Sequence, residues 1–419
     1  MSDENPSLPS EPSPTCDGSE QIDAPKLPRA RKRPKKRFVW RRYGPVLALI
    51  GALVLGWFLY AVVWPPLEIR HKIATAQWKY SRSDPEINVP VRMIYRTCEY
   101  LYCFWFFYLG ASIGSFINVV ANRTPQGKTI VSRGSHCPFC DQPLSMLENT
   151  PIFGWVALRG RCRTCHLPIA VRYLLMEILV GGIFMILAII ELMGNGMNLP
   201  HRDWRFGAGI VSTVFYPKWN LIGACIVHAS LFAVAVMLIA SHMDRLRFPT
   251  LPLIMIGIIF LACATFNPIV APVSWAEPWQ PTYPQMSSAP WQRFQTSLVG
   301  TAAGLLVGVL FAILHWQTFF RDKDPTGAGP WFAHSIFIFT LAGTLLGWQA
   351  AVNVGILGAC LSMIALNGSL LGNAAGLAKD PVLRPQVLAL AIATITLLLH
   401  HLCWRQLAFL SLLPFQPGN

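Results

Sequence analysis

The sequence predicts an all-α polytopic membrane protein with about nine transmembrane helices and a small four-cysteine insertion on the cytoplasmic side. Of its 419 residues, 53% are hydrophobic and 13% are charged, with a mean hydropathy of +0.43. A soluble domain carries about a quarter charged residues. Uncharged runs such as 43–63 and 100–122 have the roughly 20 residues that a helix needs to cross a bilayer. Two Cys-x-x-Cys pairs follow the second run.

Residues 1–42 are predicted to form a disordered, basic cytoplasmic tail. The first 25 residues are acidic and rich in proline and serine, with too little apolar content to build a core. Lys26–Arg42 then carries ten basic residues and no acidic one. Such a run is also typical of nucleic-acid binding or localisation. Because it adjoins a transmembrane helix, we interpret it as a cytoplasmic anchor on anionic lipid, with no nucleic-acid partner.

The remaining chain divides by its hydrophobic runs. A first transmembrane helix is predicted at 43–63, an outer loop at 64–99 and a second helix at 100–122. With the N-terminus inside, residues 123–172 form a cytoplasmic domain. A seven-helix membrane domain follows at 173–403, and a C-terminal tail at 404–419. The seven helices are expected at 173–192, 220–241, 250–270, 296–316, 334–350, 352–371 and 386–403.

Two finer features of the membrane domain are also predicted. Residues 331–378 contain no Asp, Glu, Lys or Arg, which is long enough for two helices joined by a tight turn near residue 351. Small residues four apart allow helices to pack closely. Such pairs are Ala52 with Gly56, Gly110 with Gly114, and Gly300 with Gly304.

The four cysteines of the insertion predict a metal site. Cys137, Cys140, Cys162 and Cys165 form C-x2-C-x21-C-x2-C, a pattern typical of a closed four-thiolate zinc site, although the central spacing is slightly wide. Two disulfides or a redox pair are the alternatives, and the reducing cytoplasm disfavours disulfides. We therefore predict a structural zinc in a zinc-ribbon-like insertion, where the ion stabilises a loop too small to form its own core.

Two segments resemble the bacterial type IV prepilin peptidase family. These are "GASIGSFINVVANRTP" at Gly110–Pro125 and "SHCPFCDQPLSMLENTPIFGWVALRGRCRTCHLPIAVRYLLMEIL" at Ser135–Leu179. The resemblance implies an intramembrane aspartic peptidase of the bacterial inner membrane that removes the leader of type IV prepilins and type II secretion pseudopilins. Many members also methylate the new N-terminus with S-adenosylmethionine. Relative to that family, this chain has an additional N-terminal helix and outer loop.

The resemblance also implies two catalytic aspartates at helix ends on the cytoplasmic side. In such a pair one carboxylate accepts a proton from water while the other, protonated, polarises the scissile carbonyl. Counting from the family's landmarks places the two positions at His242 and Ser335. Asp244 is the nearest acid to the first position. The alternative is an ordinary loop aspartate that pairs with Arg245 or Arg247.

The second aspartate position has no acid close to it in sequence. No Asp or Glu occurs from Pro325 to Ala378, so Asp322 and Asp324 are only weak substitutes. His334 and Ser335 are not a substitute dyad, because adjacent helical residues do not face each other. Ser335 is instead expected near the start of a helix, as a cap.

The sequence therefore predicts a peptidase scaffold that is impaired or inactive, and two alternatives stay open. The chain is an active leader peptidase, with or without methyltransferase activity, if Asp244 works with a non-standard second acid. It is a zinc-clipped membrane scaffold or assembly factor if the resemblance is misleading. Glu177, inside the third transmembrane helix, is either a functional acid or the partner of Arg172.

Overall fold

The computed structural model covers most of the chain. It describes residues 37–75, 88–131, 134–137, 139–200, 209–273, 289–316, 328–374 and 385–409. The predicted disordered tail lies outside the described residues as far as residue 36, and so do Asp322 and Asp324. Its last six residues, 37–42, were predicted wrongly, because they form the start of a helix. From Arg42 onward, the described residues belong to one compact unit.

The described residues are mostly helical, as predicted. Helices α1 to α7 are Arg37–Trp57, Trp64–Thr75, Val89–Arg123, Phe153–Leu158, Val171–Leu187, Ile210–Phe215 and Trp219–Met243. Helices α8 to α13 are Thr250–Phe266, Pro290–Leu314, Ala328–Leu346, Trp348–Ala374, Pro385–Leu402 and Trp404–Phe409. Two π-helical turns, Phe58–Val63 and Ala188–Met193, continue α1 into α2 and extend α5.

Eight of these helical segments are long and apolar enough to cross a membrane, within the part of the chain that the structure describes. They begin at Gly44, Val89, Val171, Trp219, Pro290, Gly329, Trp348 and Pro385. The remaining expected span is α8, which is apolar but only 17 residues long. The prediction of a polytopic helical membrane protein is confirmed.

The N-terminal helices are longer than predicted. Much of the expected loop 64–99 is helical, because α2 extends to Thr75 and α3 begins at Val89. Charged residues in this region pair with one another across the two helices. Glu68 of α2 accepts hydrogen bonds from Arg92 at 2.6 Å and Arg96 at 2.7 Å. These ion pairs hold α2 against α3.

Glycines allow two pairs of helices in the membrane domain to pack closely. A Cβ atom at Gly110 of α3 would lie 2.7 Å from the Val180 carbonyl oxygen of α5, and one at Gly114 would lie 2.8 Å from the Met176 oxygen. Gly300 of α9 meets the backbone of Gly343 of α10 in the same way. Two of the three predicted small-residue pairs are confirmed as packing sites, whereas Ala52 is exposed.

Two predicted boundaries in the second half are wrong. The tight turn expected near residue 351 is at Gly347, whose φ of +93° favours glycine. Helix α10 begins at Ala328, so Ser335 lies about two turns inside the helix and does not cap it. The absence of charged residues gives no signal for either boundary, since both helices are uncharged over their whole length.

Candidate active site and cysteine cluster

The ends of α3, α5 and α7 that meet next to the cysteine loop form the candidate active site, which we call the cysteine-loop end of the bundle. Ser241 of α7 donates a hydrogen bond to the Ala121 carbonyl of α3 at 3.0 Å, and both residues are buried. Asn122, the next residue of α3, donates to Oδ2 of Asp244 at 3.2 Å. These contacts place the first aspartate candidate against the Gly110–Pro125 motif.

Asp244 forms an ion pair with Arg172 at the start of α5. Both carboxylate oxygens accept hydrogen bonds from the guanidinium group, and the hydrogen bond to Oδ2 is 2.9 Å long. The side chains are 20% and 29% exposed, so the pair is partly shielded from water. Asp244 is thus paired with Arg172 rather than with Arg245 or Arg247, and Glu177, the alternative partner of Arg172, binds a backbone N–H instead. Asp244 is held by a residue 72 positions away in the sequence.

The first predicted aspartate position, His242, packs against the helix that carries the second, Ser335. His242 of α7 and His334 of α10 are 4% and 0% exposed. Their rings stand edge to face with centroids 5.8 Å apart, and the Trp331 ring lies 5.9 Å from that of His242. Nε2 of His334 accepts a hydrogen bond from the Phe248 backbone N–H at 3.3 Å. An imidazole pair therefore occupies this region.

Ser335 is also fully buried. Its hydroxyl has no hydrogen-bond partner among the residues that the structure describes. The second position therefore presents a hydroxyl and a neighbouring imidazole. Because Asp322 and Asp324 lie outside the described residues, their role as substitute acids stays a prediction.

Glu177 holds the loop that leads into α4. Its Oε2 accepts a hydrogen bond from the Ile152 backbone N–H at 2.7 Å. Ile152 has φ +63° and ψ −55°, and the Phe153 N–H donates to the Pro151 carbonyl at 2.6 Å. This is the geometry of a γ-turn with positive φ, a strained conformation for a β-branched residue. The buried carboxylate therefore contributes to a backbone conformation that the loop would not favour alone.

The four cysteines come together as the spacing predicts. Sγ of Cys137 lies 3.7 Å from that of Cys165, and Sγ of Cys140 lies 3.8 Å from that of Cys162. All four sulfurs lie within 4.8 Å of one another. A tetrahedral ion with bonds to sulfur of about 2.3 Å would have its ligands about 3.8 Å apart. The cluster therefore has the dimensions to bind a metal ion.

The two Cys-x-x-Cys pairs have the same backbone structure. An antiparallel bridge closes each one, His136 with Pro143 and Arg161 with Pro168. The Cys137 N–H donates to the Gln142 carbonyl, and the Cys162 N–H donates to the Leu167 carbonyl, both at 2.9 Å. Each turn thus directs its two thiols toward the centre of the cluster.

Backbone N–H groups favour the thiolate form of one cysteine. Hydrogen bonds from the backbone N–H groups of Cys165 and Thr164 lower the pKa of Cys162 to about 6. At Cys165 the Leu167 N–H lowers the pKa, but desolvation and the neighbouring sulfurs outweigh it and raise the pKa to about 12. Thiolates this close repel one another, so a cation bound between the sulfurs would favour the thiolate form of all four.

Sequence reasoning missed Asn122 and Arg172 as site residues. Both lie within the two segments that resemble prepilin peptidases, and both carry side chains that can donate to a carboxylate. Their polar side chains at the ends of apolar helices were the available signal. The pairing with Asp244 depends on three-dimensional contacts between α3, α5 and α7.

The fold and the site define a helical membrane protein with a four-cysteine loop and a membrane-edge carboxylate. Residues 108–190 match the family model described as the bacterial peptidase A24 N-terminal domain. The prepilin leader peptidase/N-methyltransferase of Klebsiella pneumoniae is 31% identical over 259 residues, which are 60% of this chain and 88% of that protein. The chain therefore belongs to the type IV prepilin peptidase family.

Two further relatives match a shorter and a longer stretch of the chain. The prepilin leader peptidase/N-methyltransferase of Myxococcus xanthus is 48% identical over 84 residues, 20% of this chain and 25% of that protein. The type 4 prepilin-like proteins leader peptide-processing enzyme of Escherichia coli O78:H11 is 23% identical over 323 residues, 76% of this chain and 83% of that protein. No solved structure shows a significant match.

Proposed function

We propose that this chain is a member of the prepilin peptidase family that binds prepilins or pseudopilins in the bacterial inner membrane without cutting their leaders. The observation that carries the proposal is the replacement of both aspartate positions, by His242 and by Ser335 beside His334. Imidazole and hydroxyl groups do not reproduce a carboxylate pair that shares one proton.

The state of Asp244 supports the same conclusion. Both of its oxygens already accept hydrogen bonds from Arg172, and Oδ2 accepts another from Asn122. A carboxylate has about four acceptor positions, so these three hydrogen bonds leave at most one for the proton of an attacking water. Proton transfer to Asp244 would break part of the ion pair, so we infer that this carboxylate serves to hold three helix ends together.

Prepilin binding and membrane placement are inferred from the relatives. Several are named prepilin leader peptidase/N-methyltransferase. The basic run Lys26–Arg42 favours a cytoplasmic N-terminus, which places the cysteine-loop end on the cytoplasmic side. There the four cysteines would hold a structural zinc ion that orders the loop between α3 and α5. A retained methyltransferase activity would need S-adenosylmethionine, and no residue of this chain is assigned to that cofactor.

An active peptidase is the second candidate. It is favoured by the contact of His242 with His334 of α10, because this contact brings the helix of the first aspartate position against the helix of the second. Asp322 and Asp324 precede α10 in the sequence and are the acids that such a mechanism would use with Asp244.

Co-expression with a prepilin tests the proposal. We expect the prepilin to keep its leader and to co-purify with the wild-type chain in detergent. Cleavage that is lost in Asp244→Ala, and also in Asp322→Ala or Asp324→Ala, would instead establish the active-peptidase alternative. Labelled S-adenosylmethionine in the same cells reports any methyl transfer to the prepilin.

A further inference from the structure

A second group of metal-binding side chains lies away from the candidate active site. It consists of Glu191 in the π-helical turn after α5, His228 in α7 and His401 near the end of α12. Arg172 and Glu191 are 19 residues apart, so at 1.5 Å per residue the two sites are separated by about 28 Å along α5. The cluster therefore belongs to the opposite end of the bundle.

The three side chains share one carboxylate oxygen. Oε1 of Glu191 lies 2.9 Å from Nδ1 of His228 and 2.6 Å from Nε2 of His401. All three side chains are fully buried. The second oxygen of Glu191 has no hydrogen bond of normal geometry among the described residues, and the Cys225 thiol, a weak donor, interacts with the same carboxylate. A buried carboxylate oxygen with so weak a partner is better satisfied by a stronger one, such as a cation.

The charge of the cluster also calls for a cation. Within the described ranges, the ion pairs of Glu191 are to the two histidines, and none is to a lysine or arginine. Two neutral imidazoles give hydrogen bonds but leave a net negative charge in a region of low dielectric, which is costly. A divalent ion between the three ligand atoms would neutralise that charge.

The donor set and its dimensions fit a transition-metal ion. Two imidazole nitrogens and one carboxylate are typical ligands of Zn²⁺ and of other divalent first-row metals. The three ligand atoms lie within 4.8 Å of one another. A tetrahedral ion with metal–ligand bonds of about 2.1 Å holds its ligand atoms about 3.4 Å apart. To admit such an ion, each of the two distances from Glu191 Oε1 to a histidine nitrogen would lengthen by less than about 1 Å.

We propose that Glu191, His228 and His401 form a second metal site, which binds Zn²⁺ or a similar divalent transition-metal ion. The ion joins the π-helical turn, α7 and α12. π-Helical turns inside α-helices occur frequently at functional sites, because the wider turn redirects side chains. Here it places Glu191 between the two imidazoles.

The surroundings of the cluster assign the metal a structural role. The Trp404 ring is 2% exposed and lies 5.8 Å from the His401 ring, and the Phe232 ring lies 5.8 Å from it on α7. Nδ2 of Asn198 donates to the His401 carbonyl at 3.2 Å. Aromatic cover and a fixed backbone keep water from the ion, so it stabilises the contact between helices.

Metal analysis of the full chain purified in detergent tests the site. We expect two ions per chain in the wild type and one in His228→Gln, in His401→Gln and in the Cys137→Ser/Cys140→Ser variant. His400→Gln is the matched control, because His400 is a buried neighbour outside the cluster, and it should keep two. An unchanged metal count in both His228→Gln and His401→Gln would overturn the proposal.

The double-cysteine variant decides the question even if the histidine variants do not fold. Its substitutions lie at the other end of the bundle, and it should keep one ion per chain. Loaded with Co²⁺, it should show d–d absorption without a thiolate charge-transfer band. A variant that holds no ion and takes up no Co²⁺ would mean that the cluster is a proton-sharing ion pair and would refute the proposed site.

Discussion

Arg172 at the start of α5 binds both carboxylate oxygens of Asp244 at the end of α7. This ion pair joins the segment that resembles prepilin peptidases to the first candidate aspartate. It also joins the ends of two helices, α5 and α7.

The Arg172–Asp244 pair should stabilise the fold. Arg172→Ala and Asp244→Ala should each lower the free energy of unfolding by about 1–3 kcal/mol, since each leaves a partly buried charge without its partner. Thermal unfolding in detergent measures the effect. In a double-mutant cycle the two changes should be non-additive, with a coupling energy of about 0.5–3 kcal/mol.

A matched aspartate provides the control for this cycle. Asp141 is 66% exposed and lies 3.6 Å from His136, so Asp141→Asn should change stability by less than about 0.5 kcal/mol. Equal effects of Asp141→Asn and Asp244→Asn would contradict a structural role for the Arg172 pair.

Glycine substitutions should have opposite effects at two positions. Gly300→Ala should lower the unfolding temperature, because its Cβ would overlap the Gly343 carbonyl and push α9 from α10. Gly51→Ala in α1 should leave the unfolding temperature unchanged or raise it, since no atom lies within 4 Å of a Cβ added there. Alanine also favours a helix over glycine by about 0.5–1 kcal/mol. Changes in unfolding temperature of the same sign in both variants would argue against the close α9–α10 contact.

Removal of the cysteine metal should loosen the loop between α3 and α5. Cys137→Ser should lose one zinc per chain and expose residues 134–170 to protease, since the loop has little core of its own. Cys403→Ser is the control, because this exposed cysteine lies outside the cluster. Limited proteolysis followed by mass spectrometry locates the cuts, and a protected loop in a metal-free variant would be the contrary result.

Loss of Glu177 should release the strained turn at Ile152. Glu177→Ala removes the acceptor of the Ile152 N–H, and we expect faster amide hydrogen exchange over 148–156. Glu177→Gln retains a carbonyl oxygen and should preserve most of the protection. Exchange rates that are equal in wild type and Glu177→Ala would show that the turn does not depend on this carboxylate.

Hydropathy and cysteine spacing were sufficient to predict most of the architecture from the sequence. Apolar runs located the membrane helices, and the Cys-x-x-Cys pairs located the cluster. The helical extension from Val89 to Glu99 was not predicted, because its charges are typical of a loop. In the structure Arg92 and Arg96 pair with Glu68, and this long-range contact stabilises helix where sequence alone indicates solvent exposure.

The candidate site was predicted only in part. The spacing of the motif residues identified His242 and Ser335 as the two aspartate positions. In the structure His242 packs against His334, the residue before Ser335. The partner of Asp244 was not predicted, since Arg245 and Arg247 are nearer in sequence than Arg172. The Glu191 cluster carries no sequence motif, because its ligands are 37 and 210 residues apart.

The mass of a prepilin after incubation with the purified wild-type chain tests the central claim most directly. The Klebsiella pneumoniae relative serves as the active control. If the paired acids are lost, the prepilin keeps its full mass with this chain and loses its leader with the relative. A leader-free product that forms with the wild type, and fails to form with Asp244→Ala, would contradict the account.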